Sequence, residues 1–412
     1  MTTLLTNIAS LVNVRDDSSM LRGKNLVTLP CIADAFLIVE DDEIASYGSM
    51  KDLSLKPADF QFHFSLTGRY VLPSWCDSHT HLVFAGSREN EFIDKLQGKT
   101  YAEIAANGGG ILYSAEQIKK ISEDELFIQS YRRLQEVLCL GTGAVEIKSG
   151  YGLSVEGELK MLRVIKRLKD KSRALIKSSF LGAHSFPLEY RDNHEGYIKL
   201  IINEMLPAIA AENLADYIDV FCEQGFFSVE ETETICQAGV QYGLKPKIHA
   251  NQLSSSGAVQ TGVKLISVSV DHLEVMDDAS INALADSNTI GTLLPTAAFF
   301  LRMPYQPARK LINAGCAIAL ASDFNPGSSP SGNMNFVVAL SCIQLGMLPE
   351  EAINAATING ACAMEVQDKA GSISKGKKAN LIVTKPIPSL YYLPYSFGSN
   401  NIERVMIAGE WM

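Results

Sequence analysis

The chain lacks several common signatures, and each absence excludes something. Its eight cysteines form no C-x-x-C pair and most sit in apolar runs, as Cys222 and Cys316 do. They read as reduced core thiols of a cytoplasmic protein. An excess of positive charge is missing too: the net charge is −10 and the pI about 5.3. That argues against a nucleic-acid surface, and the one strong basic cluster is "SKGKKAN" near the C-terminus. No apolar run reaches the ~18 residues of a membrane span. The start, "MTTLLTNIASLVNV", has neither a basic n-region nor a long apolar h-region, so no signal peptide is expected there. No G-x-G-x-x-G opens a helix, which leaves a dinucleotide site without support.

What is present is a globular composition, 47% hydrophobic and 20% charged over 412 residues. Residues 1–64 read as short strands and turns, for example "AFLIVEDDEIASYG" around the acidic pair Asp41 and Asp42. Residues 368–412 have the same character, and the two ends are expected to pair as one small β-sandwich domain. Between them, over 65–367, strands alternate with helical patterns. The expected strands are Val71–Cys76, Gly143–Ile147, Ile176–Leu181, Tyr217–Cys222, Leu244–Ile248, Leu265–Val270, Thr289–Leu293 and Ala317–Ala321. "SVEGELKMLRVIKRLKD" and "VEETETICQAGVQYG" carry apolar residues at helical spacing, and Arg163 to Lys171 reads as a solvated helix face. Eight such strands predict a closed (β/α)₈ barrel of the TIM type, with an open doubly wound sheet as the alternative.

The polar residues sit where a barrel would need them. In "VLPSWCDSHTHLVFAG", His79 and His81 follow a buried strand expected to end near Asp77. Residues two apart on a strand share a face, so both imidazoles aim into one space. His184 ends the third strand, His249 the fifth, Asp271 and His272 the sixth, and Asp323 the eighth. Five of the seven histidines thus fall on one rim, the rim where barrels of this kind place their active sites; His63 and His194 do not. His79, His81, His249 and Asp323 offer three neutral nitrogens and one carboxylate, a set that suits a divalent metal with room for a water. Such an ion lowers the pKa of its water towards ~7, which makes hydroxide available for hydrolysis at neutral pH. His272 is placed to shuttle a proton or to face an oxyanion.

"PSWCDSHTH", the histidines ending strands five and six, the aspartate ending strand eight and "GSISKGKKANLIV" together resemble the amidohydrolase superfamily, almost from end to end. Further segments narrow the resemblance: "AGSREN", "ANGGGI", "EIKSGYGL", "FLGAHSFP", "HANQLS", "DHLE" and "SDFNPGSSPSGNM". They are similar to members that open the ring of 4-imidazolone-5-propanoate to N-formimidoyl-L-glutamate in histidine degradation. The resemblance implies a zinc or iron ion, a cytoplasmic location and a homodimer. Two-metal members bridge their ions with a carboxylated lysine ending strand four. Here that strand ends "VFCEQG", so one ion per chain is expected. Lys148, ending strand two, reads as part of a structural ion pair, near Glu146 or elsewhere.

A propanoate calls for a guanidinium fork, and Arg88 lies a short loop beyond the metal histidines. Tyr151 is a second substrate-binding candidate and Tyr101 a weaker one. The resemblance adds His184, facing the ring or its carbonyl, and the turn at Asn325, Gly327 and Ser328, offering donors to the glutamate end. It also makes "NGGGI", Asn107 to Ile111, a lid or ligand loop. Gln252 stands where members can carry an acid. It counts with the catalytic and substrate-binding candidates, although an amide suits orienting the ring better than moving a proton. Ser74 and Asn380 depart from the superfamily's usual glycine and aspartate, outside the chemistry. Two rivals share the barrel. A purine or pyrimidine aminohydrolase would keep the metal set without the carboxylate pocket of Arg88 and Tyr151. A non-catalytic scaffold related to dihydropyrimidinase would be expected to lose ligands, and all four are present.

Overall fold

A computed structural model describes residues 1–99 and 109–412. Tyr101 and the start of the expected loop at Asn107 lie outside the described residues.

The N-terminal strands are β1 (Thr2–Val12), β2 (Cys31–Glu40), β3 (Glu43–Ser49), β4 (Phe62–Ser65) and β5 (Tyr70–Pro73). The barrel strands are β6 (Trp75–Thr80), β7 (Thr142–Lys148), β8 (Leu175–Ala183), β9 (Tyr217–Cys222), β10 (Lys245–Ala250), β11 (Ser269–His272), β12 (Ile290–Leu293) and β13 (Ile318–Leu320). The C-terminal strands are β14 (Leu381–Thr384), β15 (Ile402–Ile407) and β16 (Glu410–Trp411).

Strands β6 to β13 pair in parallel in chain order, with helices between them. The ring is drawn together at its C-terminal rim. There the Asp323 N–H donates to the His79 carbonyl (3.0 Å) and the His81 N–H to the Phe324 carbonyl (2.9 Å). Parallel strands covered on both faces read as continuous apolar runs. "YIDVFC" of β9, buried at every position, is such a run, and Asp219 within it is a charge placed in the interior. The helix Val155–Lys171 buries Leu159, Leu162 and Ile165 against the barrel. Its basic residues face outward into ion pairs, Arg163 with Glu212 and Arg167 with Glu123.

The two chain ends form one hydrogen-bonded sheet, in which β14 of the C-terminal segment pairs with β5. Period-2 alternation gives that sheet two faces. Ala35, Leu37 and Val39 pack inward with Leu381 and Val383, while Phe36 and Ile38 face a separate small cluster. Ile382 turns to the barrel core.

Two expectations need correction. The run Val71–Cys76 is two strands of different sheets. Tyr70–Pro73 pairs with β1 and β14, so the sheet of the chain ends extends past residue 64 to Pro73. The switch falls at Ser74, whose N–H donates to the Asn380 carbonyl, while the Trp75 N–H donates to the Gly141 carbonyl next to β7 (both 2.9 Å). The first barrel strand then runs on to Thr80, which places His79 inside it. The second correction is Leu265–Val270. Leu265 caps the helix Ala258–Lys264 through its bond to the Thr261 carbonyl, and β11 begins at Ser269.

Candidate active site at the C-terminal rim

The rim residues converge as the strand ends predict. His79 is buried in β6, and His81 follows on the same face. The Nε2 atoms of His81 and His249 lie 3.4 Å apart, and Asp323 Oδ1 lies 3.5 Å from Nε2 of both His79 and His81. Donors held about 2.0–2.1 Å from a tetrahedral ion stand about 3.4 Å from one another. The spacing therefore fits a divalent ion. A second observation agrees: Nε2 of His79 is buried without a hydrogen-bond partner, although such atoms are ordinarily satisfied.

Two of these histidines are steered from behind. Nδ1 of His79 lies 2.7 Å from Asp271 Oδ2, and Nδ1 of His249 lies 3.1 Å from Asp219 Oδ1. Each carboxylate holds a proton on Nδ1 and leaves the Nε2 lone pair for a metal. Both aspartates lean on Lys148, whose Nζ is 2.7 Å from Asp219, 3.7 Å from Asp271 and 2.6 Å from Glu146. Lys247 pairs with the other oxygen of Glu146 and donates to the Ser78 carbonyl. Burial works against the charge of Lys148, yet the three carboxylates outweigh it and raise its pKa. Burial, reinforced by Lys148 and the other histidines, keeps His79 well below the ordinary histidine range and therefore neutral. The ion pair expected near Glu146 is thus present, and it is the floor of the site. Sequence reasoning missed Asp219 and Lys247; the signal for Asp219 is a carboxylate inside the apolar run "YIDVFC".

His272 and Asp323 leave their strands with positive φ, 89° and 52°. Such backbone is uncommon for non-glycine residues and recurs at functional sites. His272 is buried, with its ring centroid 5.6 Å from His79 and 5.3 Å from His249. Its Nδ1 stands 3.5 Å from Glu274, which accepts a bond from Gln306 Nε2 (2.9 Å). Burial disfavours its charge, but Glu274 and the aspartates outweigh this and raise its pKa. His272 also forms a compact donor group with His79 and Asp323, so distance alone would allow it as a ligand.

Above the histidines opens a cavity of about 510 Å³, lined by Arg88, Tyr151, His184, Gln252, Asn325, Gly327 and Ser328 among others. Every proposed substrate contact within the described residues thus faces one space. His184 stacks on His81 at 5.2 Å, and its Nδ1 is 2.9 Å from the Gly150 carbonyl. That carbonyl only accepts, so Nδ1 carries the proton and Nε2 keeps its lone pair. Burial lowers the His184 pKa to about 3, so the ring is neutral. Tyr151 lies 5.4 Å from His184 and 5.7 Å from His81, ring to ring. Arg88 pairs with Glu91 (2.7 Å) and keeps a buried Nε without a partner. Gly327 packs against it: a Cβ there would meet Nη1 at 2.3 Å, so a side chain at 327 would displace the guanidinium.

The turn after β13 differs from expectation in one respect. The N–H groups of Gly327 and Ser328 both donate to Asn325 Oδ1 (2.8 Å), so they serve the turn itself. The Ser328 hydroxyl donates to Asp323 Oδ2 (3.1 Å), so the turn orients the carboxylate. Gln252 sits on a loop fastened by Glu223, which accepts the Leu253 N–H (2.8 Å) and the Ser254 hydroxyl. Sequence reasoning also missed the mouth of the cavity, where Lys95, Lys99 and Arg302 stand among Phe92, Leu96 and Phe300.

Comparison with known proteins agrees with this geometry. The profile of the amidohydrolase family matches residues 70–412. A Flavobacterium johnsoniae protein named imidazolonepropionase is 59% identical over 411 residues, all of both chains. A Christiangramia forsetii protein of the same name is 53% identical over 411 residues, again all of both. Among solved structures, an atrazine chlorohydrolase mutant from Arthrobacter aurescens, complexed with zinc and atraton, superposes with a TM-score of 0.71 at 13% identity, over 99% of this chain and 94% of the other. A guanine deaminase from C. acetobutylicum, with guanine bound, superposes with a TM-score of 0.71 at 17% identity over all of both chains. At such identities these two superpositions speak for the fold.

Proposed function

The chain belongs to the amidohydrolase family, and from that premise we propose in detail how it hydrolyses the ring amide C–N bond of 4-imidazolone-5-propanoate to N-formimidoyl-L-glutamate. The observation that carries the mechanism is the convergence of His79, His81, His249 and Asp323 beneath a cavity that also holds Arg88. Those four residues would hold one zinc or iron ion. The floor is rich in carboxylate, which a dication would offset: Glu146, Asp219 and Asp271 pair with Lys148 and Lys247, and Asp323 stands beside His79 and His81. When bound, the ion acidifies a water so that it can attack near neutral pH.

The chain's own groups do the rest. Arg88 forks the propanoate, helped by the Tyr151 hydroxyl, and this fixes the ring over the histidines. His184 accepts a ring N–H at Nε2, the nitrogen that its bond to Gly150 leaves unprotonated. Gln252 orients the ring from its edge. Asp323 takes a proton from the attacking water at Oδ2, the oxygen held by Ser328. His272 faces the carbonyl oxygen and stabilises its growing negative charge. As the C–N bond breaks, the proton on Asp323 passes to the leaving ring nitrogen, and the carbonyl carbon becomes a carboxylic acid that releases the water's second proton to solvent as the product's carboxylate.

The same proposal includes a cytoplasmic protein, which fits its eight free thiols, and a homodimer, which fits the exposed Tyr391, Tyr395 and Phe397. The decisive assay follows loss of 4-imidazolone-5-propanoate and appearance of formimidoylglutamate, with metal analysis of the same preparation. Turnover with about one ion per chain is expected. Turnover of a purine or pyrimidine, without the imidazolone, would hand the site to the aminohydrolase reading. Sedimentation at micromolar concentration checks the dimer.

A further inference from the structure

One buried carboxylate outside the reacting groups is fastened to the loop that carries substrate contacts. Glu158 lies in the first turn of the helix Val155–Lys171 and is fully buried, whereas Glu156 in the same turn is exposed. An exposed glutamate there would already complement the helix dipole. Glu158 does something else. Its Oε1 accepts the N–H groups of Gly152 (2.7 Å) and Leu153 (3.0 Å), and its Oε2 accepts that of Gly150 (3.1 Å). Three backbone N–H groups of one short loop thus close around one carboxylate, as in the nests that bind free anions.

The loop pays a conformational cost to reach it. Leu153 takes φ 46°, uncommon for a non-glycine residue, while Gly150 supplies φ 109° without strain. The loop also sits directly on the helix: a Cβ on Gly152 would lie 2.2 Å from the Glu158 nitrogen. Within that clasp lie both the Tyr151 ring and the Gly150 carbonyl that fixes the tautomer of His184. The clasp thus holds the backbone from which both groups reach the space beside His81.

We infer that Glu158 is a positioning residue for substrate recognition, setting Tyr151 and the acceptor nitrogen of His184 through the backbone of residues 150–153. This rests on the proposed reaction and on Tyr151 and His184 as contacts. It assigns Glu158 no contact with substrate or metal.

Glu158→Gln tests it, because the amide keeps the shape but turns one acceptor into a donor facing an N–H. With 4-imidazolone-5-propanoate, KM is expected to rise about tenfold, the scale of one lost buried hydrogen bond, with kcat within about threefold of wild type. Metal content is expected to stay as in wild type. Combined with Tyr151→Phe, the loss in kcat/KM is expected to fall well short of the product of the single losses, since both act on one contact. Glu158→Asp, which keeps the charge but is one methylene short of the three N–H groups, is expected to fall between; it is read in the same way if the glutamine variant does not fold. An unchanged KM with a lowered Tm, or fully multiplicative losses, would overturn the positioning role. A wild-type enzyme that does not turn over the imidazolone would instead overturn the proposed reaction, so the two failures are distinct.

Discussion

At the floor of the cavity every charged group is buried and answered. Lys148 meets three carboxylates, Lys247 meets Glu146 and two carbonyls, and Asp219 and Asp271 each hold a histidine. At the mouth, Phe92 and Leu96 stand 39% and 52% exposed, and Arg302 is exposed as well. The floor is made of strands and the mouth of loops and short helices. Strands fix a side chain to within the precision of a hydrogen-bonded ladder, and that is what a four-donor site needs. A loop can shift to meet a ligand, which suits recognition better than chemistry. The expected effects of substitution therefore shrink from floor to mouth.

The largest effect is expected at His249. His249→Ala removes one donor and leaves Asp219 facing Lys148 alone. Metal analysis should show strong loss of the ion, and activity should fall by several orders of magnitude. Full retention of both would remove His249 from the donor set. His272 comes next and tests where the floor ends. If it faces the oxyanion, His272→Ala should keep its metal and much of its substrate affinity, yet lose ~10²–10³ in kcat, the scale of ~2.7–4 kcal/mol for one oxyanion contact. Its closeness to His79 and Asp323 supplies the rival, in which it is a ligand. Metal lost together with activity would decide for the rival.

Arg88 stands between the two regions, half-buried and paired with Glu91, yet lining the cavity. Arg88→Ala should lower kcat/KM by roughly ten- to a few-hundred-fold, from a charge-assisted pair worth about 1.5–3 kcal/mol. Lysine should restore only part, since it lacks the fork. An unchanged kcat/KM would place the propanoate elsewhere.

The same gradient governs what the sequence could reveal. His79, His81, His249 and Asp323 were legible because each ends an apolar strand run, and the two-residue period of a strand states which side chains share a face. Their convergence followed from the barrel. The boundary at Ser74 was not legible, because the apolar run passes through it unchanged while the backbone bonds move from one sheet to another. Glu158 was hidden for a different reason. In a helix rich in glutamate and lysine it looks like any solvent-facing charge, and only the backbone N–H groups around it say otherwise. The turn at Asn325 was half legible: the right residues were named, but their hydrogen bonds close on one another. Of the cations at the mouth, Lys95 lies on a short helix while Lys99 and Arg302 follow helix ends, where no period points to them.

The smallest effect is expected at those cations. The chain carries a net charge of −10, which repels a substrate bearing a propanoate. Arg302 is exposed at the mouth, away from the reacting groups, while Lys99 is already paired with Asp94 at 2.6 Å. An exposed cation contributes by steering: it raises the local concentration of an anion without touching the transition state. Such a field acts over a Debye length of ~10 Å at 0.1 M salt and ~3 Å at 1 M. Arg302→Gln should therefore lower kcat/KM by about two- to fivefold at low ionic strength, leave kcat unchanged, and lose its effect as salt approaches ~1 M. Stopped-flow or steady-state rates across a salt series read this directly. A loss that persists at high salt, or that appears in kcat, would show Arg302 in contact with the substrate and would move the boundary between floor and mouth outward.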